Sequence, residues 1–372
     1  MGLVVAVAAA PAHAAPVAAG AVHAAPVVAA LDRAASAQAA AGGQRVCRIG
    51  DTRLNEISGM AAVAGGYVVV NDGADDPAGR RIFFLDGRCK VVRTVAYPSR
   101  PRDTEDLAVG ADGTVWVADI GDNSATRETV GLWRLAPGAR APELLRLKYP
   151  DGAHDAEALL VGPDGTPIIV TKTPLAAGAY VPAGALKKTT ALKQAGNVRL
   201  PLSSTSNPFS LGGRLVITGG AVSPDGKRAV LRTYADAFEF DVPDGDVVGA
   251  ITGGEPRKTP LPDEPQGESI TYSRDGSALL TVSEGLKPEI LRYPTTDPDK
   301  SSEPSPSTGA STAPPATAPA PSPASPSAAQ PQAATPASAA KASDRVPLGI
   351  VLTGAALAAA AIGILIGRRR RR

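Results

Sequence analysis

Histidine and cysteine are almost missing from this sequence. Of three histidines, His13 and His23 stand in an Ala/Pro-rich leader, which leaves His154 as the one in a globular context. A lone histidine in a loop, here just before Asp155, reads as a solvated side chain rather than a ligand. The two cysteines, Cys47 and Cys89, are too few for a Cys/His zinc centre. No G-x-S-x-G elbow and no Walker loop occurs either, so the commonest nucleophile and nucleotide chemistries have no footing. Aromatics make up only 4% of the chain, and the core must therefore be built mainly from Val, Leu, Ile and Ala. A basic excess is also lacking. The net charge is +2, and Arg368 to Arg372 supply five positive charges, leaving the rest at about −3. That gives no footprint for nucleic acid.

Proline and glycine, by contrast, are abundant and gather towards the ends. Residues 1–44 open with an apolar run over 3–10, followed by Ala12-His13-Ala14. This looks like a secretory signal with an A-x-A cleavage site, although no basic residue precedes the run. Pro11, Pro16 and Pro26 argue against a membrane helix there. Residues 346–367 carry no charge and are long enough to cross a hydrocarbon core of about 30 Å. The arginines at 368–372 mark the cytoplasmic end of such a span. Residues 295–345 are almost entirely Pro, Ala, Ser and Thr, a composition that buries no core and reads as an extended disordered stalk. The expectation is a single-pass cell-membrane protein with its folded domain, residues 45–294, outside. In an exported chain Cys47 and Cys89 read as one disulfide, with two unpaired thiols as the other reading.

The folded region carries a recurring phrase. Glu105 to Gly113 (EDLAVGADG) returns as Glu157 to Gly165 and as Glu268 to Gly276, with the glutamate always seven residues before the aspartate of Asp-Gly. A fourth copy has Thr218 in place of the acid, and a fifth starts at Glu56 and reaches Gly65-Gly66 slightly late. Each copy reads as an apolar strand, a tight hairpin turn and a second apolar strand. Third strands follow at 81–86, 130–135, 179–181, 237–242 and 289–293, with edge strands at 91–95 and 144–149. Four antiparallel strands about every 50 residues describe a β-propeller blade. The fold class expected is all-β, a propeller of five or possibly six four-stranded blades, with the stalk and one C-terminal transmembrane helix appended. The interval Lys187 to Gly213 is either an elaborated blade or a degenerate sixth. The last copy stops at Tyr293, so the N-terminal strand 45–49 is expected to complete it and close the ring.

The Glu-x-Leu-Ala opening, the run Asp119-Ile120-Gly121-Asp122-Asn123 and the run Asp155-Ala156-Glu157-Ala158-Leu159 resemble bacterial secreted β-propellers of the broad TolB/YVTN/SMP-30-like group. The resemblance covers roughly residues 46–294. It implies a propeller whose activity is open, because that group holds Ca²⁺-dependent lactonases and phosphatases as well as pure binding modules.

In a propeller the innermost strand starts at one channel mouth, and the loop between second and third strands returns to it. Two sets of polar residues should therefore meet there. The first is Glu56, Glu105, Asp106, Glu157 and Glu268, of which the glutamates are the candidate metal ligands. The second, the candidate ligand-binding set, is Asn71, Asp72, Asp119, Asp122, Asn123, Lys172 and Arg232, with Glu284 beside it. Carboxylates with few soft donors suit a hard cation such as Ca²⁺. A glutamate repeated in every blade is equally well read as a brace to the next blade's backbone. Trp116 and Trp133 read as core. The functional expectation is a surface binding module that meets an extracellular protein or small molecule at an acidic mouth. The alternative is a Ca²⁺-dependent lactonase or phosphoesterase.

Overall fold

A computed structural model describes residues 42–73, 76–261 and 264–295. The expected signal region up to residue 41, the stalk beyond 295, the membrane span and the basic tail lie outside the described residues. Among those described, no helix is long and apolar enough to cross a membrane.

The first strand, β1 (Gln44–Arg48), stands apart from the order of the rest. Next come β2 (Ile57–Val63), β3 (Gly66–Asn71), β4 (Arg81–Asp86) and β5 (Val91–Ala96), an antiparallel meander. A second meander holds β6 (Asp106–Val109), β7 (Val115–Asp119), β8 (Val130–Leu135) and β9 (Glu143–Lys148). The third holds β10 (Ala156–Val161), β11 (Pro167–Thr171), β12 (Ala177–Pro182) and β13 (Thr189–Val198). The outer strands β9 and β13 pair in parallel and fuse these two meanders into one eight-stranded sheet. The fourth is β14 (Gly219–Val222), β15 (Arg228–Arg232), β16 (Asp236–Asp241) and β17 (Arg257–Pro260), with helix α1 (Val247–Gly253) between its last two strands. Asp246 caps α1, accepting from the Gly249 N–H at 2.9 Å. The fifth meander, β18 (Gly267–Tyr272), β19 (Ala278–Ser283) and β20 (Glu289–Pro294), takes β1 as its fourth, antiparallel strand.

The inner strands pack in a circle: β2 on β6, β6 on β10, β10 on β14, β14 on β18, and β18 back on β2. This is the radial plan of a β-propeller. The apolar core is correspondingly divided into five wedges, each between neighbouring meanders. Trp133 is buried in the wedge between the first and second meanders, and Trp116 in the next. As expected from composition, the remaining lining is mostly Val, Leu, Ile and Ala.

The repeated Asp-Gly phrases form the turns between first and second strands. Gly113, Gly165, Gly226 and Gly276 take φ of +81°, +81°, +71° and +68°, a region a side chain disfavours. Each preceding aspartate accepts the backbone N–H two residues on: Asp112 from Thr114, Asp164 from Thr166, Asp225 from Lys227 and Asp275 from Ser277, at 2.9–3.1 Å. All four carboxyls lie below the usual aspartate range, Asp112 and Asp164 chiefly through these backbone bonds and Asp225 and Asp275 chiefly through the Ser223 and Ser273 hydroxyls, with the backbone bonds adding to them.

The ring is closed covalently as well. Cys47 of β1 and Cys89, in the turn between β4 and β5, form a disulfide with a Cα separation of 6.1 Å. The expected bond between the closing strand and the neighbouring first meander is present.

Candidate functional site

All five inner strands start at the same end of the channel. A methyl group on Gly59 would meet the Leu107 backbone nitrogen at 2.6 Å, and one on Gly220 would meet the Leu160 side chain at 3.1 Å. Strand starts thus lie beside strand starts. Hydroxyls stitch this end together: Ser58 Oγ donates to the Thr104 carbonyl at 3.0 Å and Thr218 Oγ1 to the Gly267 carbonyl at 3.1 Å. Asp106 does more. Its Oδ2 accepts from the Leu159 N–H at 2.9 Å and the Gly220 N–H at 3.2 Å, so one carboxylate of β6 ties together β10 and β14. Burial raises its pKa well above the usual aspartate range, against the three backbone N–H groups that favour the charge.

Three inner strands are irregular at their start. The pairing with the second strand slips by one between Ile57 and Gly59, between Ala156 and Ala158, and between Gly267 and Ser269. The extra residues in these bulges are Ser58, Glu157 and Glu268. A bulge re-aims a side chain that regular alternation would send elsewhere. In structural register, then, the counterpart of Glu157 and Glu268 in the first meander is Ser58. Glu56 lies two residues earlier, ahead of β2. The sequence alignment slipped because β2 and β3 turn over Ala64-Gly65, while the other copies use the longer Asp-Gly turn.

At this mouth the acids sort into two groups. On the side of the first and second meanders, Asp72, Asp103 and Glu105 bring one carboxylate oxygen each to within 4.8 Å of one another. Asp72 and Glu105 are buried. Gly121 and Gly73 make room for them: a methyl on Gly121 would collide with Glu105 Oε1 and lie 2.6 Å from Asp103 Oδ2, and one on Gly73 would lie 2.8 Å from Asp103 Oδ1. This buried acidic group can hold a metal ion, and its donors are all hard oxygens.

On the side of the other three meanders the centre is Lys172. Its ammonium bonds Glu157 Oε1, and its backbone N–H donates to the Asp155 carbonyl at 2.9 Å. Burial disfavours the ammonium, but Glu157, with Tyr234, Asp155 and Glu105 behind it, holds it well above the usual lysine range. Glu268 Oε1 accepts from the Tyr234 hydroxyl at 3.4 Å and from Gln266 Nε2 at 3.1 Å, and the same amide reaches Glu284 Oε2 at 2.6 Å. Glu157 and Glu268 thus bond side chains, Lys172 for the first and Tyr234 and Gln266 for the second. The stitching role falls instead to Ser58, Thr218 and Asp106.

The remaining candidates are held inside the loops. Asn71 is buried, its Nδ2 donating to the Arg53 carbonyl at 2.6 Å. Asp119 accepts from the Arg102 and Asp103 N–H groups and from Arg127 Nη2 at 2.9 Å, with Trp133 Nε1 at 3.3 Å. Asp122 accepts the Arg127 N–H at 2.7 Å and offers its own N–H to Asp155 Oδ1 at 2.8 Å, whereas Asn123 is exposed. Arg232 has no exposed surface. It binds Glu264 Oε2 and the Ser269 carbonyl, both at 2.9 Å, while Glu264 Oε1 takes Thr281 Oγ1 at 2.6 Å and the Tyr293 hydroxyl at 2.9 Å. Sequence reading missed Asp103 and Glu264. Both sit just upstream of an inner strand, outside the repeated phrase, and no signal short of the fold marks them. His154 pairs with Asp151 at 3.0 Å and Tyr180 at 3.1 Å, in a cluster with Tyr149.

A wider cavity of about 870 Å³ opens at the opposite, turn end of the channel. It is lined by Val63, Val109, Val161 and Val222 with the Asp-Gly turns, and none of the mouth acids reaches it.

Neither a protein-family model nor a curated protein sequence matches this chain. Among solved structures it is similar to a streptogramin B lyase, at 15% identity over 63% of this chain and 64% of that one, with a TM-score of 0.33. It is similar also to Kuenenia stuttgartiensis hydrazine synthase, at 11% identity over 64% and 83%, TM-score 0.36. A selenomethionine-substituted virginiamycin B lyase from Staphylococcus aureus gives 12% over 63% and 66%, TM-score 0.32. The chain thus spans about two thirds of the length of these lyases, and the likeness bears on fold alone.

Proposed function

We propose that this chain is a cell-surface binding module: a five-bladed propeller, displayed outside the cell on its Pro/Ala/Ser/Thr stalk, whose acidic mouth meets a ligand or partner. Five blades are supported by the five core wedges and by the interval after Lys187, which holds β13 and one short 3₁₀ turn at Gly212–Arg214. The observation that carries the function is the gathering at one mouth of acids from several blades around a single lysine. Two of them, Glu157 and Glu268, are turned there by bulges that leave an inner-strand residue unpaired. Bulges of this kind recur beside functional sites.

A hard divalent cation, with Ca²⁺ as the ion to test, belongs to the Asp72–Asp103–Glu105 group, whose three donors are all oxygens. That same group favours the second reading, a Ca²⁺-dependent lactonase or phosphoesterase, since it offers three oxygen donors to an ion that would polarise a substrate oxygen. Melting curves with and without Ca²⁺ test both. Saturating the site a hundredfold over Kd adds about 2.7 kcal/mol of stability, so Ca²⁺ should raise Tm and a chelator should lower it. Asp103→Asn should abolish the response, and Glu157→Gln, on the lysine side, should retain it. A Tm indifferent to both additions removes the cation. Ca²⁺-dependent turnover of lactones or phosphomonoesters that Asp103→Asn eliminates would replace the binding module by the hydrolase. Protease applied to intact cells should release the propeller through the stalk; digestion of the arginine tail instead would reverse the topology.

A further inference from the structure

Large apolar side chains are rarely exposed on this molecule, and where they are is not random. Six are exposed among the described residues: Val46, Val92, Leu175, Leu202, Leu211 and Leu286. Val46 and Val92 lie on outer strands on either side of the disulfide seam. The four leucines all lie in loops at the mouth. Leu175 is between β11 and β12, Leu286 is between β19 and β20, and Leu202 and Leu211 are in the connection from β13 to β14. Leu286 is 80% exposed and Leu202 66%.

The same loops hold unfavourable backbone conformations. Among the described residues five non-glycine residues have positive φ, and four of them are at the mouth: Ala125, Leu175 (+67°), Ser210 (+53°) and Lys287 (+54°). Leu175 is itself one, Ser210 precedes Leu211, and Lys287 follows Leu286. Such conformations are unfavourable and concentrate where a loop serves a ligand. The leucines are also anchored to the mouth. The Leu175 N–H donates to the Leu215 carbonyl at 3.4 Å, placing its loop against the turn after Leu211. Phe209 stacks on Tyr234 with ring centroids 4.3 Å apart, and Tyr234 bonds Glu268. From the far side, the Gly285 N–H donates to the Asn55 carbonyl at 2.8 Å, next to Glu56.

On the reading of the mouth as a binding surface, we propose that it docks a polypeptide segment whose lysine or arginine points at the channel acids while flanking apolar residues cover the leucines. The charge sets the sign. Among the described residues, Lys172 takes one oxygen of Glu157, and Glu268 bonds only the neutral Tyr234 hydroxyl and Gln266 amide. The second oxygens of Glu157 and Glu268 are buried with no hydrogen-bond partner among the described residues, so the centre attracts a cation, and the rim around it is apolar. A desolvated pocket ringed by side chains that exclude water is the setting in which a single anchor residue, arginine among them, carries most of the energy of a protein interface.

Selection of peptides from a random phage-displayed library on the purified chain tests this. The expected outcome is enrichment of sequences with one basic residue between apolar ones. Synthetic copies should bind at least tenfold more weakly to the Leu211→Ser, Leu286→Ser double variant, and more weakly at 500 mM than at 50 mM salt. Val92→Ser, at the seam, should bind as the unaltered chain does. No enrichment, peptides without a basic residue, or indifference to the leucine changes would overturn the proposal. So would binding to anionic vesicles that the double variant loses, since the leucines would then serve a lipid surface. The Ca²⁺-dependent melting is read on Asp103 and not on the leucines. It can therefore fail or survive independently of this surface.

Discussion

At the scale of single residues, the carboxylates of this chain do two opposite kinds of work, and pH separates them. The turn aspartates Asp112, Asp164, Asp225 and Asp275 have folded pKa values below their unfolded ones. Their contribution is present above the unfolded value and is lost as pH falls through the folded one. Asp106 has the reverse sign, because burial raises it. Its contribution is complete below the unfolded value and declines as pH rises through the folded one. Stability to urea should therefore fall as pH drops through the folded values of the turn aspartates, and decline also as pH rises above the ordinary aspartate range. Asp106→Asn should flatten that second decline while leaving the acid limb unchanged. Asp106→Ala is a different experiment, since it strips the acceptor from the Leu159 and Gly220 N–H groups. At about 1–2 kcal/mol for each orphaned donor, it should cost about 2–4 kcal/mol at every pH. An alanine variant as stable as the asparagine one would show that the carboxylate does not tie these strands.

At the scale of elements, the joint between the fourth and fifth meanders is the one most exposed to a single change. Arg232 of β15 reaches Glu264 and the Ser269 carbonyl in full burial, and breaking such a pair by removing one partner costs about 3–5 kcal/mol. Arg232→Ala should lower the denaturation midpoint by that measure. Gly267→Ala should do so too, because its methyl group would collide with the Arg232 guanidinium. If Gly267→Ala were neutral, the arginine would be free to move and the joint would be looser than described. Elements are also where sequence and structure part company. Strands and turns were legible because Asp-Gly fixes φ locally and alternation fixes the faces. Glu56 was misaligned because a two-residue turn after β2 shifts the count, and a bulge leaves no mark on hydrophobic periodicity. Arg232 looked like a departure from the repeat available for ligand binding, yet its partner Glu264 stands 32 positions away, beyond any local pattern. Of the metal-capable group, Glu105 alone was legible as a metal ligand, and Asp72 as a residue for ligand binding. Asp103 is brought in by the chain's path between blades.

For the whole molecule, everything depends on β1. Its pairing with β20 is reinforced by Arg45 and Arg48 on Glu289 at the surface, but exposed ion pairs of this sort add little. What β1 supplies is the cover for an open strand edge. Deleting residues 44–48 should therefore leave β20 unpaired, and light scattering after size exclusion should find larger assemblies than the full domain forms. A deletion variant of the same assembly state as the full domain that unfolds in one step would show that the ring does not need this strand.

The strand that finishes the ring is also the first part of the domain to be made. At about 5–20 residues per second, the chain between β1 and β20 takes on the order of ten seconds or more to appear. Throughout that time β1 has no sheet to join. The disulfide changes what this wait means. Cys89 follows Cys47 by 42 residues, so the bond can form as soon as the first blade exists. From then on β1 is moored beside the gap that the last blade will fill, instead of trailing loose. The bond thus permits an order of assembly in which the latch is fastened to its frame before the door is hung.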